Sequence, residues 1–175
     1  MELSDVLLKR RSVRTYTNKE IPEDTLKKIL RAGLIAPTSM NRKPCELIVV
    51  KDKAMLKKLS QAKSAGANML ADSSAAVVVI ADSRKADTWV EDSSIALTYM
   101  NLMATDLGIG SCWCQIHLRT TSDGRDAEDA VRGILSLGEQ YRIVGILALG
   151  VPPVQPKPHT WEEADLTKVH HWTEK

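Results

Sequence analysis

Three short runs confine the fold of this chain more than anything else in it: Leu47-Ile48-Val49-Val50, Val77-Val78-Val79-Ile80 and Ile143-Val144-Gly145-Ile146-Leu147-Ala148-Leu149. Each is apolar without alternation and rich in β-branched residues. Runs of that kind form strands whose two faces are both covered, so helices have to lie on both sides of the sheet. The expected strands are Glu46 to Lys51, Ala75 to Ala81 and Tyr141 to Leu149. A fourth is expected over Gly108 to Gln115. No apolar run approaches the roughly 20 residues that span a bilayer.

Helical spacing fills the intervals. Leu3, Val6 and Leu7 predict a short first helix with Ser4 as its cap. Pro22 opens a second, carrying Leu26, Ile29, Leu30, Gly33 and Leu34 and ending before Pro37. Asp52 caps a third with Met55, Leu56 and Leu59. Ser64 to Ser74 reads as loop with some helix. Thr88 to Glu91 has capping-box spacing and opens a long helix that stops at Gly108. Around Ile95 to Ala104 that helix is apolar on nearly every side, as a central helix is. Ala127, Val131, Ile134 and Leu135 mark the last helix. Residues 151–175 carry Pro152, Pro153, Pro156 and Pro158 and predict an extended arm that packs on a neighbour. These elements predict an α+β sandwich, with residues 1–175 as one domain.

Charge excludes one class of function. With 24 basic against 22 acidic residues, the chain lacks the basic excess of a nucleic-acid binder. The polar N-terminus has no signal-peptide core, and the three cysteines are not spaced as a secreted disulfide framework. A cytoplasmic protein with no membrane partner is expected. Phe is absent, so the core has to be aliphatic, with Ala and Met filling gaps.

Two stretches and one cluster carry chemistry. Arg10-Arg11-Ser12-Val13-Arg14 places three guanidinium groups and a hydroxyl within five residues. Guanidinium forks match phosphate oxygens bidentately, and a serine adds a donor to the same anion. A solvated basic helix end is the plainer reading. Lys157 and His159 offer further cations from the tail. Pro37-Thr38-Ser39-Met40-Asn41 is either a helix stop or a floor of hydroxyls and an amide for a flat polar ligand. Cys112, Cys114 and His117 are the only group with any resemblance to a zinc site. Buried strand cysteines explain the pair better, since alternate residues of a strand share one face and no second cysteine pair lies nearby. Phosphate-binding Gly-rich fingerprints and nucleophile elbows are absent.

Taken together, Arg10-Arg11-Ser12-Val13-Arg14 with Tyr16, Ala36-Pro37-Thr38-Ser39-Met40-Asn41 with Lys43-Pro44, Leu107 to Cys112, Val131 to Leu135 and Ile146 to Gly150 with Pro152 resemble the nitroreductase family of FMN-dependent oxidoreductases in its short-chain form. The resemblance runs from residue 3 to about residue 172. It implies a mostly antiparallel sheet flanked by helices, an obligate homodimer with the C-terminal arm crossing to the partner, and FMN sites at the dimer seam. It implies hydride transfer from NAD(P)H through FMN to a small-molecule acceptor such as a nitroaromatic, quinone or enone. It implies Arg10 and Ser12 on the phosphate, with Arg11 beside them and Lys157 as a further contact. Arg14 would lie at the pyrimidine edge of the ring, where it tunes the flavin. Pro37, Thr38, Ser39 and Asn41 would come from the other subunit. Asn68 would be set against the ring, and the backbone of Cys112 and Trp113 would face its reactive edge. Trp89 and Tyr99 are aromatic candidates for the ring pocket. The chain departs from the family at Cys45, where a large aromatic is usual, at Leu137 to Gln140, and at His159. A flavin-binding sensor or carrier without turnover shares the same motifs. A zinc protein built on Cys112, Cys114 and His117 is the other alternative.

Overall fold

Four antiparallel strands in the order β1-β2-β4-β3 form the sheet. A computed structural model gives the structure, which describes residues 1–172. The strands are β1 (Cys45–Val50), β2 (Ala75–Asp82), β3 (Gly110–Gln115) and β4 (Tyr141–Gly150). The helices are α1 (Leu3–Lys9), α2 (Glu23–Leu34), α3 (Lys53–Ser60), α4 (Met69–Asp72), α5 (Trp89–Asp106) and α6 (Ala127–Leu135).

The unbroken apolar runs are explained by two cores, one on each face. Val77, Val79, Leu147 and Leu149 pack with Leu26, Ile29, Leu97 and Met100 of α2 and α5. Ala76, Val78, Ile80, Ile146 and Ala148 pack with Leu56, Leu59, Leu70 and Val131 of α3, α4 and α6. Side chains alternate across a strand, so a strand buried on both faces has no polar positions to show. All of β2 is buried. The run in β1 is the exception, with Leu47, Ile48 and Val49 only half-buried. It lies at the outer edge of the sheet, where one flank is open.

Three helix starts differ from expectation. Glu2, not Ser4, precedes α1, and of the Leu3, Val6, Leu7 stripe only Val6 is buried. Pro22 is the residue before α2 rather than inside it. Thr88 does not form a capping box, because its hydroxyl donates to Asp92 instead (3.2 Å). Asp52 does cap α3, accepting from the Met55 N–H at 2.8 Å. Helix α5 ends at Leu107 and Gly108, with Gly108 at φ +73°. That left-handed turn is the one glycine tolerates without strain.

Helix α5 is not covered all round. Tyr99 is 40% exposed, and with Met1, Leu3, Ile35, Leu102 and Met103 it lines an open, mostly apolar groove of about 510 Å³. The tail runs extended as far as Thr160 and then makes short 3-10 turns at Trp161–Glu163 and Leu166–Lys168. It lies along its own N-terminal region: the His159 N–H donates to the Leu8 carbonyl, and the Arg11 guanidinium to that of Lys157, both at 2.8 Å. Trp161, Leu166, Val169 and Trp172 remain exposed. No described helix is long and apolar enough to cross a membrane.

Candidate active site at the β3 edge

Strand β3 is an edge strand, so alternate residues present their backbone N–H and C=O outward. The Ser111 carbonyl is one of these outward groups and accepts the Val13 N–H at 2.9 Å. The alternation makes Trp113 and Gln115 the others. The stretch after α1 therefore runs alongside the start of β3, with Ser12 bridging Ser111.

Two glycines let it come that close. A Cβ on Gly110 would lie 2.8 Å from the Val13 Cγ1, and one on Gly150 would lie 2.5 Å from the Tyr16 ring. The Tyr16 hydroxyl donates to the Val13 carbonyl (2.8 Å), and the Thr17 N–H to the Val151 carbonyl (2.8 Å), which fixes the stretch at both ends. Burial raises the Tyr16 pKa, so its hydroxyl stays protonated.

Beneath this stretch is the Cys112 thiol. Burial pushes its pKa up, against the pull of Arg14, the Ser12 hydroxyl, Lys63 and Arg10. Arg10, Ser12 and Arg14 all lie near enough to bear on that thiol, as does a cation absent from the expected set, Lys63. Among the described residues, Arg10, Arg11, Arg14 and Lys63 have no carboxylate within 4.0 Å. Cations without a directly paired carboxylate suit an anionic ligand. Lys63 lies in a stretch with no helical periodicity, and only its contact across the chain (Nζ to the Gln115 carbonyl, 3.1 Å) identifies it.

Cys112 and Cys114 share one face and are buried in the α3/α4/α6 core. The Cys114 thiol donates to the Gly66 carbonyl, and burial raises its pKa to about 11. His117 does not join them. Its Nδ1 is 2.6 Å from Glu128, and its ring stands edge-on to Trp89. The zinc reading loses its third ligand for that reason. Trp89 also lies under the Arg142 guanidinium (4.6 Å), which takes it out of the candidate ring pocket. The Trp113 indole faces α5, with its N–H donating to Gln115 Oε1 (2.9 Å); only its backbone faces the open edge.

Asn68 is exposed, immediately before α4 and two residues beyond Gly66. Lys157 meets the basic stretch through its carbonyl, and its side chain is exposed. His159 pairs with Glu163 at 2.6 Å.

Pro37, Thr38, Ser39 and Asn41 lie elsewhere. Their loop precedes β1 at the end of the sheet where Cys45 opposes Ala81 and Ala81 opposes Arg142. The basic stretch sits at the other end, on the opposite edge, where Gly110 opposes Gly150. The two predicted halves of the site occupy diagonal corners of the sheet in one chain.

The loop is held in a strained form, with Met40, Asn41 and Lys43 all at positive φ. Residues other than glycine adopt this region at a cost, and surrounding bonds have to fix it. Asp92, 2% exposed, accepts the Ser39 N–H at 3.0 Å, and the Thr38 hydroxyl accepts the Lys43 N–H at 3.1 Å. Asp92 in the sequence reads as an ordinary helix-start acid; the structure makes it the anchor of this loop.

Known proteins share this sequence pattern and this fold. The model of the Nitroreductase family matches residues 7–68 and 62–151, and the chain belongs to that family. An Archaeoglobus fulgidus protein named for NADH dehydrogenase or NAD(P)H nitroreductase activity is 37% identical over 155 residues, covering 86% of each chain. A Methanothermobacter thermautotrophicus protein of the same name is 29% identical and covers 98% of this chain and 88% of its own. An FMN-dependent nitroreductase from Clostridium difficile superposes with a TM-score of 0.94 at 38% identity, over 98% of this chain and 99% of its own.

Proposed function

We propose that this protein is an FMN-dependent oxidoreductase that passes hydride from NAD(P)H, through the flavin, to an organic acceptor such as a nitroaromatic, quinone or enone, with donor and acceptor using one site in turn. The observation that carries the reading is the group of cations at the open β3 edge with no carboxylate partner, floored by outward backbone groups. The relatives named for NAD(P)H nitroreductase activity support it.

Bound FMN supplies the two-electron hydride chemistry; the protein supplies binding, orientation and electrostatics. Arg10, Arg11 and Ser12 hold the phosphate, with the Lys157 side chain reaching it from the tail. Arg14 would sit beside the pyrimidine part of the ring, and its positive charge would favour the reduced form. The Trp113 backbone would line the reactive edge, whereas that of Cys112, expected there too, is turned toward β4; Asn68 would offer an amide beside it.

Pro37, Thr38, Ser39 and Asn41 cannot reach this site within one chain, so a second copy provides them. The same homodimer covers the apolar groove along α5 and gives the exposed tail residues a surface to pack on. No side-chain acid or nucleophile is required, and the electrons come from the nicotinamide. A cytoplasmic setting, where reduced nicotinamide is at hand, belongs to the same reading.

The test is spectroscopic. The purified protein, or the protein mixed with FMN, has a yellow flavin spectrum that NADH or NADPH bleaches without oxygen and an acceptor restores. Arg14→Ala weakens FMN binding and lowers the reduction potential. A protein that stays colourless with excess FMN, or an unchanged potential in Arg14→Ala, refutes these assignments.

A further inference from the structure

We propose that the hollow beneath the 37–43 loop is a binding pocket for a single aromatic ring bearing a hydroxyl, a site separate from the cations of the β3 edge. The inference goes beyond the FMN reading and does not depend on it.

Small residues from three elements leave the space. Cys45 opens β1 and, with Leu47 and Val49, packs on the α2 and α5 face of the sheet. Gly33 near the end of α2, Ala36 just beyond it and Ala96 of α5 line the same place. Between them remains a partly open pocket of about 110 Å³. Protein interiors are packed so closely that voids larger than a water are few. A side chain on Gly33 is not free to close this one, because its Cβ would lie 2.8 Å from the Met100 Cγ.

The lining sets the ligand. Ala36, Leu47 and Ala96 make apolar walls. Burial raises the Cys45 pKa, so its thiol stays neutral and acts as a wall, not a nucleophile. An apolar cavity of about 150 Å³ holds benzene; this one is smaller but open on one side, so one ring enters with its edge at the mouth and a fused pair does not. Thr38 and Asp92 form the polar side. The Thr38 hydroxyl accepts the Lys43 N–H, and among the described residues nothing takes its own proton. Asp92 accepts the Ser39 N–H on one oxygen and the Thr88 hydroxyl on the other, which leaves each a lone pair. A phenolic hydroxyl suits both groups, donating to Asp92 and accepting from Thr38. An anionic ring would be repelled by Asp92, so the class is neutral phenols. A ring seated there props the loop from below, where Met40, Asn41 and Lys43 hold positive φ.

The test uses the full chain as purified, with phenol and benzene as probes. Calorimetric titration with phenol should give a Kd on the order of 1 mM, as suits so small a ligand. Two variants fill the pocket, Cys45→Phe from the sheet and Ala96→Leu from α5, and either should abolish binding; the second serves if the first does not fold. Thr38→Val keeps the hollow and loses the hydroxyl, so phenol weakens about threefold to tenfold while benzene is unchanged. With phenol at about ten times its Kd, trypsin cleavage after Arg42 slows about tenfold in the parent, because the ligand holds the loop closed. It does not slow in the filled variants. No phenol binding by the parent overturns the proposal, and a second copy seating a side chain in the hollow would give that result. Equal binding in the filled variants overturns it too, as does binding that leaves cleavage unchanged. FMN uptake does not enter these measurements, so failure of the functional reading and failure of this proposal are read separately.

Discussion

Gly150→Ala is the sharpest test of how the fold builds the site. The new methyl would stand 2.5 Å from two atoms of the Tyr16 ring and 2.8 Å from its Cβ. Tyr16 cannot retreat with its backbone, because Val13 is bonded to Ser111 and Thr17 to Val151 on either side of it. The ring has to swing out, and its 2.8 Å hydrogen bond to the Val13 carbonyl goes with it. Overpacking of this kind costs about 1–3 kcal/mol, and the hydrogen bond adds about 0.5–1.5 kcal/mol. For a chain of this length each kcal/mol lowers the melting temperature by about 2–4 °C, so a fall of roughly 5–15 °C is expected. Cofactor affinity falls at least tenfold, because Ser12 and Arg14 are carried on the displaced stretch. The assay is a thermal melt of the stripped protein together with an FMN titration, repeated in a Tyr16→Ala background. With the ring gone the methyl has room, and the cost of Gly150→Ala should nearly vanish. An equal cost in both backgrounds refutes the steric argument. Normal FMN binding in Gly150→Ala refutes the link between that packing and the site.

Other outcomes follow from the same contacts. Burial raises the Glu128 pKa, but bonds from Arg142, His117 and the Ile143 N–H outweigh it and bring the value from 4.5 down to about 2. A group depressed in the folded state stabilises it fully above its unfolded pKa and loses that effect as pH falls through the folded value. A shift of this size is about 3 kcal/mol, so urea unfolding midpoints should drop between about pH 5 and pH 2, and drop less in Glu128→Gln, where Asp82, also held down to about 2 by Arg84, still titrates. At neutral pH Glu128→Gln itself costs about 1–3 kcal/mol, since it weakens charge-assisted hydrogen bonds to a buried carboxylate while the half-exposed Arg142 can turn to water; a neutral result would mean the pair is dispensable. Asp92→Ala strands the Ser39 N–H and costs about 1–3 kcal/mol; trypsin cleavage after Arg42 should speed up, and an unchanged rate would show that the strained loop is held by other contacts. FMN should slow hydrogen exchange at the Trp113 amide, which faces the open edge, more than at Cys112 or Cys114, whose amides point toward β4; equal protection of all three would contradict the edge geometry.

The strands and the site were legible in the sequence to different degrees, for physical reasons. Runs such as Val77 to Ile80 announce themselves because burial on both faces leaves no other composition workable. The β1 run carried the same signal yet lies at the edge, because an unbroken apolar run does not say how many of its neighbours are present. The basic stretch was visible because its residues are contiguous and their charge needs a reason. The contacts of Lys63 and Asp92 were invisible in the sequence. Each acts through one contact to a residue about 50 positions away, Lys63 to Gln115 and Asp92 to Ser39. No local pattern encodes such a contact. The cap at Thr88 failed for a related reason: Asp92, four residues on, offered its hydroxyl a better acceptor than the helix offered a donor.

An exposed sheet edge is usually a hazard, because unpaired N–H and C=O groups invite another strand to add to it. Edge strand β1 carries the exposed Glu46, paired with Lys85 at 3.9 Å, and those charges discourage such pairing. Strand β3 has no charged residue at all between Gly110 and Gln115. Its edge is shielded from outside instead: Ser12 and Val13 close the Ser111 end, and Lys63 closes the Gln115 end. Each closing element is cationic or flanked by arginine, so a strand added between them would have to accept buried positive charge, which is costly without a counter-ion. A flat anionic ligand fills the same gap with the opposite consequence, because it brings the missing charge with it. On the reading proposed above, the arrangement that keeps this edge from pairing with another chain is the one that would admit a flavin phosphate, and the specificity of the site would follow from that exclusion as much as from any single contact.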